Sequence, residues 1–269
     1  MNIFNGRDKA TILDAKVLEF LGTEHIKGEL AIILIGDNEA SEKYISIKKK
    51  YCDSKGIKCV VHRIDGRLKD EDIFKKVFDV VASPNTAGAI IQLPLPRPSL
   101  DPCLRLIPAE KDIDAISPFS MEAFYAGRPH KILPVVRALD FFIRETGKDS
   151  SSSALRAAVI GEGFLVGKPA AQYLKSKNYQ VSVINDYQTG QKIDTDVLVL
   201  SAGIPNLVRG EDVSAGCDVV DFGSSVVDGK TTGDLVQDSS LEHLGLVSMS
   251  PGGVGPLVVR FLIMNFLGI

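Results

Sequence analysis

Short apolar runs rich in β-branched residues recur along the chain, and in its first half they alternate with stretches of helical length. "ELAIILIG" precedes a polar, lysine-rich segment from Ser41 to Gly56, "IKCVVHRI" precedes a helical pattern from Leu68 to Val81, and "AGAIIQLPLP" follows. Strands apolar on both faces must be covered on both faces, and parallel strands need a crossover long enough to hold a helix. The pattern therefore predicts an α/β fold built on a parallel sheet. A second series runs through "AAVIG", a helix from Val166 to Ser176, then "QVSVIND", "DVLVLSAG" and "CDVVDFG", and reads as a Rossmann-like unit.

Between the two series, "SPFSMEAFYAGRPHKILP" (117–134) breaks the periodicity with Gly and Pro. Val135 to Glu145 reads as a connecting helix and "GKDSSSSALR" (147–156) as an exposed loop. The closing "SPGGVGPLVVRFLIMNFLGI" joins a glycine-rich loop to an apolar run too short to span a bilayer, so a buried terminal helix packing back on the body is expected. Two domains result: residues 1–118 completed by 254–269, and a Rossmann-like dinucleotide-binding domain over 119–253.

Several function classes drop out. A net charge of −3 gives no electrostatic reason to expect a nucleic-acid partner. The first twenty residues lack the build of a signal peptide and no run approaches a membrane span, so a soluble, cytoplasmic protein without a membrane partner is expected. Cys52, Cys59, Cys103 and Cys217 are scattered without Cys-x-x-Cys pairing, which points to free thiols in a reducing compartment and to no metal site.

Three stretches can carry chemistry. In "GDNEASEKYISIKKKYCDSKGIK", Asn38 or Ser41 can cap a helix that Gly56 ends, which puts Tyr44 and Lys48 four residues apart on one face. A run of Lys48, Lys49 and Lys50 is also what a solvated face looks like, and spacing alone does not choose. In "IIQLPLP", Gln92 stands just past an apolar strand, where the carboxyl ends of parallel strands open onto a ligand crevice; its amide can orient a lysine or simply hold a loop. "AEKDIDAIS" carries Asp112 and Asp114 in a segment too short for a helix, where turn carboxylates commonly accept backbone N–H groups.

"AVIGEGFLVGKP" (158–169) has Gly161, Gly163 and Gly167, with one residue more between the second and third glycine than Gly-x-Gly-x-x-Gly. The motif is weak alone, but a strand before it and a helix after it are the context in which small residues let a backbone approach a pyrophosphate.

Taken in order, "GDNEASEKYISIKKKYCDSKGI", "GAIIQLPLP", "PAEKDIDAISP", "VIGEGFLVGKP", "SAGIPNLV", "DVVDFGSS" and "SPGGVGPLVVRFL" resemble the signature blocks of the methylenetetrahydrofolate dehydrogenase/cyclohydrolase family over nearly the whole chain. The resemblance implies that Lys48 is the central catalytic residue, flanked by Tyr44 and Gln92, and that Asp114 grips the pterin end of a tetrahydrofolate substrate. The loop from Pro251 through Gly252 and Gly253 to Pro256 is implied to line the folate and nicotinamide cleft. The cofactor would meet Gly161, Glu162, Gly163, Val166 and Gly167, then Asp186 and Tyr187, then Gly203 and Ser224, and a homodimer forms through the Rossmann-like domain. The implied chemistry is loss of hydride from 5,10-methylenetetrahydrofolate to a nicotinamide, then hydrolysis of the methenyl form to 10-formyltetrahydrofolate. A partly buried amine suits proton relay, because desolvation disfavours its charged form.

Departures from the family pattern fall mostly on the cofactor side. Pro134-Val135-Val136-Arg137 replaces Pro-Cys-Thr-Pro, Val258 replaces a threonine, Gly161-Glu162-Gly163 replaces Gly-Arg-Ser, and Gly223-Ser224-Ser225 replaces Gly-Ile-Asn; on the folate side Ala115 replaces a glycine. They motivate two alternatives, a cyclohydrolase alone or a non-catalytic folate- or nucleotide-binding paralogue. Glu162, where relatives carry an arginine, and Asp186 at a strand end favour NAD over NADP, since a carboxylate accepts a ribose 2′-hydroxyl but repels a 2′-phosphate.

Overall fold

The computed structural model describes residues 1–24, 26–148 and 155–269, so residues 149–154 of the expected loop lie outside the described residues. The chain forms two compact α/β units, one of Asp14–Pro134 with Val259–Ile269, the other of Met1–Leu13 with Val135–Val258.

In the first unit, strand Glu29–Ile35 lies between Cys59–Ile64 and Thr86–Ile91, and both pairings are parallel. Every residue of the central strand is buried, the two-sided coverage its unbroken apolar run demands. Helix Glu39–Ser54 follows the central strand; Asn38 caps it by accepting the Ser41 N–H. Helix Asp70–Ala82 buries Ile73, Val77 and Val81 and carries Asp70, Glu71 and Asp72 in its first turn, where the helix dipole favours negative charge. The last helix, Gly255–Leu267, returns to this unit from Val259 onward, as the apolar ending predicts. Its buried Asn265 donates from Nδ2 to the Ile113 and Ile132 carbonyls at 3.0 and 2.9 Å. Asp14 joins three helices: it accepts from Arg260 Nε at 3.1 Å and from the Tyr51 hydroxyl at 2.6 Å, and the Arg260 guanidinium lies 4.4 Å from the Tyr51 ring centre.

The second unit holds a six-stranded sheet in the order Asn2–Ile3, Leu246–Ser248, Asp218–Asp221, Val197–Leu200, Arg156–Ile160, Gln180–Ile184, parallel throughout. Arg156–Ile160 has a sequence-later strand on each side, so strand order reverses at its carboxyl end, the position at which sheets of this type bind ligands.

The expected domain boundaries differ from those of the compact units at both ends. Met1–Leu13 groups with the six-stranded sheet, because Asn2 and Ile3 pair with Leu246 and Val247 and Phe4 packs edge-on against Phe142 at 5.4 Å. Residues 119–134 group with the three-stranded unit, and the terminal helix changes unit after Val258 rather than at 254. A two-residue strand has no period to read. The antiparallel hairpin Ser225–Val227 with Lys230–Thr232 also went unforeseen. No described helix is long and apolar enough to cross a membrane.

The core of this unit contains a titrating carboxyl. Burial pushes Asp221 up to about 7, opposed by the Leu235 N–H and reinforced by the charge of Asp234. The folded state thus holds this proton more tightly than the unfolded chain, where the ordinary value is 3.8. Its contribution favours folding below about pH 4 and is lost as pH rises through about 7. The Asp221 carboxyl-carbon resonance is expected to titrate near 7; a midpoint in the ordinary range near 4 contradicts this.

Candidate active site

On helix Glu39–Ser54 the buried positions are Ser41, Ile45, Tyr51 and Cys52, and Lys48 falls on the stripe of Ser41, Ile45 and Cys52 by its i, i+4, i+7, i+11 spacing. It stands where a core-facing residue belongs. Lys48 is part-buried and donates from Nζ to Gln92 Oε1 at 3.1 Å. Its neighbours leave the stripe: Lys49 pairs with Asp53 at 2.9 Å, and Lys50 is exposed. A lysine in register with buried positions was the signal that separates it from the run. Tyr44, one turn earlier, is 40% exposed.

Gln92 is buried immediately past strand Thr86–Ile91. Its Nε2 donates to the Leu93 carbonyl at 2.8 Å, which fixes the amide and leaves Oε1 to accept from Lys48. Both roles open to this amide in the sequence are thus filled at once.

Asp112 and Asp114, two residues apart in one turn, have different surroundings. Asp112 accepts the Ile116 and Ser117 N–H groups at 3.3 and 2.8 Å and closes the turn. The preceding backbone pairs with Ala89, where the Ala89 N–H donates to the Lys111 carbonyl at 2.8 Å, so the turn runs beside the strand that leads to Gln92. Asp114 is part-buried; burial raises its pKa, the Lys48 charge lowers it and Asp112 raises it. Lys48 is therefore within electrostatic reach of both Gln92 and Asp114. Ala115, where the family pattern has glycine, sits at φ 56°, a conformation costing an L-residue about 1–2 kcal/mol.

In the other unit, Gly161 follows strand Arg156–Ile160 at φ 92°, and helix Gly167–Ser176 starts six residues on. A Cβ on Gly167 would lie 1.9 Å from the Gly161 carbonyl oxygen, so the loop closes on its helix only with glycine there, while Gly163 faces open space. Val166 precedes the helix. The Ser201 hydroxyl, which the sequence reading missed, donates to the Gly161 carbonyl at 2.9 Å and holds the loop to the next strand. A closed glycine turn with an open face at a sheet switch point fits a dinucleotide.

Glu162 accepts from Asn185 Nδ2 at 2.9 Å, bringing its carboxylate beside the end of strand Gln180–Ile184, just past which Asp186 stands exposed. Tyr187 needs a correction: its side chain is buried in the core, its hydroxyl bonded to the Gln191 carbonyl and Asp212, so the ring does not face the loop. The reason is that the chain turns inward after the strand and the aromatic ring fills the core. Gly203 and Ser224 lie on loops after strands Val197–Leu200 and Asp218–Asp221. Pro251, Gly252 and Gly253 follow Leu246–Ser248, where the Gly252 carbonyl accepts the Gly6 N–H at 3.0 Å. Among the described residues no group of His, Cys, Asp or Glu is arranged to hold a metal ion.

The sequence matches two family models, the tetrahydrofolate dehydrogenase/cyclohydrolase catalytic domain over residues 5–114 and the NAD(P)-binding domain of the same family over residues 139–269. It is 34% identical to "Bifunctional protein FolD" of Caldanaerobacter subterraneus subsp. tengcongensis, over 96% of each chain. Among solved structures it resembles the bifunctional methylenetetrahydrofolate dehydrogenase/cyclohydrolase FolD of Campylobacter jejuni, with a TM-score of 0.88 at 26% identity, covering 100% of this chain and 98% of that one. The fold is also that of the Trypanosoma brucei enzyme complexed with NADP and an inhibitor, with a TM-score of 0.87 at 24% identity, covering 98% and 95%. Neither a cyclohydrolase alone nor a non-catalytic paralogue is favoured by these matches. Over both of its units, the chain belongs to the tetrahydrofolate dehydrogenase/cyclohydrolase family of bifunctional enzymes.

Proposed function

We propose that Lys48, set by Gln92 and faced by Asp114, is the proton-relaying group of the folate chemistry. As a member of its family the chain oxidises 5,10-methylenetetrahydrofolate to the 5,10-methenyl form with a nicotinamide cofactor and hydrolyses that form to 10-formyltetrahydrofolate. The observation that carries the assignment is the 3.1 Å contact from Lys48 Nζ to a Gln92 amide already oriented by Leu93. In the hydrolytic step, water adds to the cationic methenyl carbon and loses a proton; as the ring opens, a ring nitrogen gains a proton while the new hydroxyl releases its own to become the formyl carbonyl. An amine at the site can take the first proton and return it, which general acid–base catalysis requires of one well-placed group. Asp114 accepts hydrogen bonds from the pterin amino groups, and Tyr44 borders the same face. Purified protein given methylenetetrahydrofolate and either nicotinamide cofactor, with methenyl absorbance and reduced cofactor followed separately, tests both activities; no reduced cofactor with either nucleotide defeats the oxidative half.

A bound nicotinamide supplies the hydride acceptor. Gly161, Gly163, Val166 and Gly167 would hold its pyrophosphate, with Gly203 and Ser224 on the neighbouring loops; Pro251, Gly252 and Gly253 remain further folate-binding candidates. We assign NAD in preference to NADP, because Glu162 and Asp186 put two carboxylates around the end of strand Gln180–Ile184. Like charges about 4 Å apart cost roughly 1 to 4 kcal/mol between bulk water and a protein surface. The specificity constant for NAD is accordingly expected to exceed that for NADP by about tenfold or more. An equal or higher constant with NADP refutes the assignment.

The edge strand Gln180–Ile184 pairs on one side only and leaves Val183 exposed, which suits a homodimer made through the six-stranded unit. Light scattering at micromolar concentration is expected to give twice the chain mass, and a monomer mass rules the dimer out. Four buried free thiols fit a reducing, cytoplasmic compartment.

A further inference from the structure

Asp234 follows the hairpin strand Lys230–Thr232 and is fully buried. Its Oδ2 accepts the backbone N–H groups of Ala202 and Gly203 at 2.7 and 3.0 Å. Its Oδ1 has no hydrogen-bond partner among the described residues and lies against Gly223, where a Cβ would come within 2.2 Å of it. The Gly223 N–H donates to Asp221 Oδ1 at 2.7 Å. The Ser225 hydroxyl then donates to the Gly203 carbonyl at 2.8 Å and ties the two loops together.

One carboxylate therefore touches both loops on which Gly203 and Ser224 stand. Burying a carboxylate is unfavourable unless hydrogen bonds compensate, and burial does raise the pKa of this one against the pull of the Gly203 and Ala202 N–H groups. The compensating donors come from a loop rather than from the sheet. Its conformation is thus set by Asp234, while the open side of Gly203 meets no other atom within 4 Å.

We propose that Asp234 is a positioning residue for the dehydrogenase reaction: its carboxylate holds the Ala202–Gly203 turn, and through Gly223 the Ser224 turn, in the conformation that receives the nicotinamide dinucleotide. This rests on the reading that Gly203 and Ser224 meet the cofactor. Hydrolysis of the methenyl form consumes no dinucleotide, so the cyclohydrolase rate of the same sample reports how much protein is folded and competent.

Titration with NAD by calorimetry, beside the cyclohydrolase assay, tests the proposal. Asp234→Ala, which removes a charged acceptor from two N–H groups, is expected to raise the NAD dissociation constant by about 100-fold out of proportion to any change in cyclohydrolase rate. Asp234→Asn, which keeps an acceptor oxygen, is expected to recover most of that loss. Should Asp234→Ala not fold, Gly223→Ala drives a methyl group into the Asp234 carboxylate and is expected to weaken NAD binding in the same selective way. An unchanged dissociation constant in a folded Asp234→Ala or Gly223→Ala protein overturns the proposal. So does a parallel fall in both measurements, the mark of a merely structural role. Gly203→Val separates the two levels. If it leaves NAD binding intact, the cofactor reading of the loop has failed and the proposal with it; if it weakens binding and Asp234→Ala does not, only the positioning role falls.

Discussion

Lys48→Met is expected to lower cyclohydrolase turnover by at least about 100-fold, the usual loss when a general acid–base group is removed. Methionine keeps an unbranched apolar stem on the stripe that Lys48 shares with Ile45 and Cys52, so the helix has reason to stay in place. What disappears is the amine and its bond to Gln92 Oε1. Lys49→Met is the matched control: Lys49 pairs with Asp53 on the surface, an i,i+4 interaction contributing only a few tenths of a kcal/mol, and turnover is expected to stay unchanged. Decay of methenyl absorbance, with circular dichroism to confirm folding, measures both. Near-normal turnover in a folded Lys48→Met protein would sink the assignment.

Asp114→Ala is expected to act on binding more than on turnover. A charged hydrogen bond lost in a part-buried position costs roughly 1.5 to 3 kcal/mol, so affinity for a tetrahydrofolate ligand should fall about 10- to 150-fold. The raised pKa of Asp114 gives a second observable. An ionised acceptor binds donors better than a protonated one, so affinity in the wild type weakens as pH falls through that raised value, and Asp114→Ala removes this dependence. Asp112→Ala should do the opposite, destabilising the fold by leaving the Ile116 and Ser117 N–H groups unsatisfied. Folate affinity by calorimetry that Asp114→Ala leaves unchanged would remove Asp114 from the site.

What the sequence determined by itself is what short-range periodicity can carry. Unbroken apolar runs such as "AIILI" are readable as buried parallel strands because a strand covered on both faces has no polar side to alternate with. Tyr44 and Lys48 are readable as one helix face from their spacing, and the glycine loop at 161–167 from the strand before it and the helix after it. Tertiary structure alone decided the rest. Asn2 and Ile3 join a sheet whose partner strand is Leu246–Ser248, and two residues contain no pattern from which a pairing that distant can be read. Asp112 and Asp114 are chemically the same residue in the same turn; pairing of that turn with Ala89 spends one carboxylate on backbone N–H groups and leaves the other within reach of Lys48. Tyr187 follows a strand end, a position the resemblance gives to the cofactor, yet its ring turns into the core beside Asp212. Local pattern tells which face of an element a side chain leaves from. Which other element meets that face depends on contacts between distant residues, and those contacts separate Lys48 from Lys49 and Asp114 from Asp112.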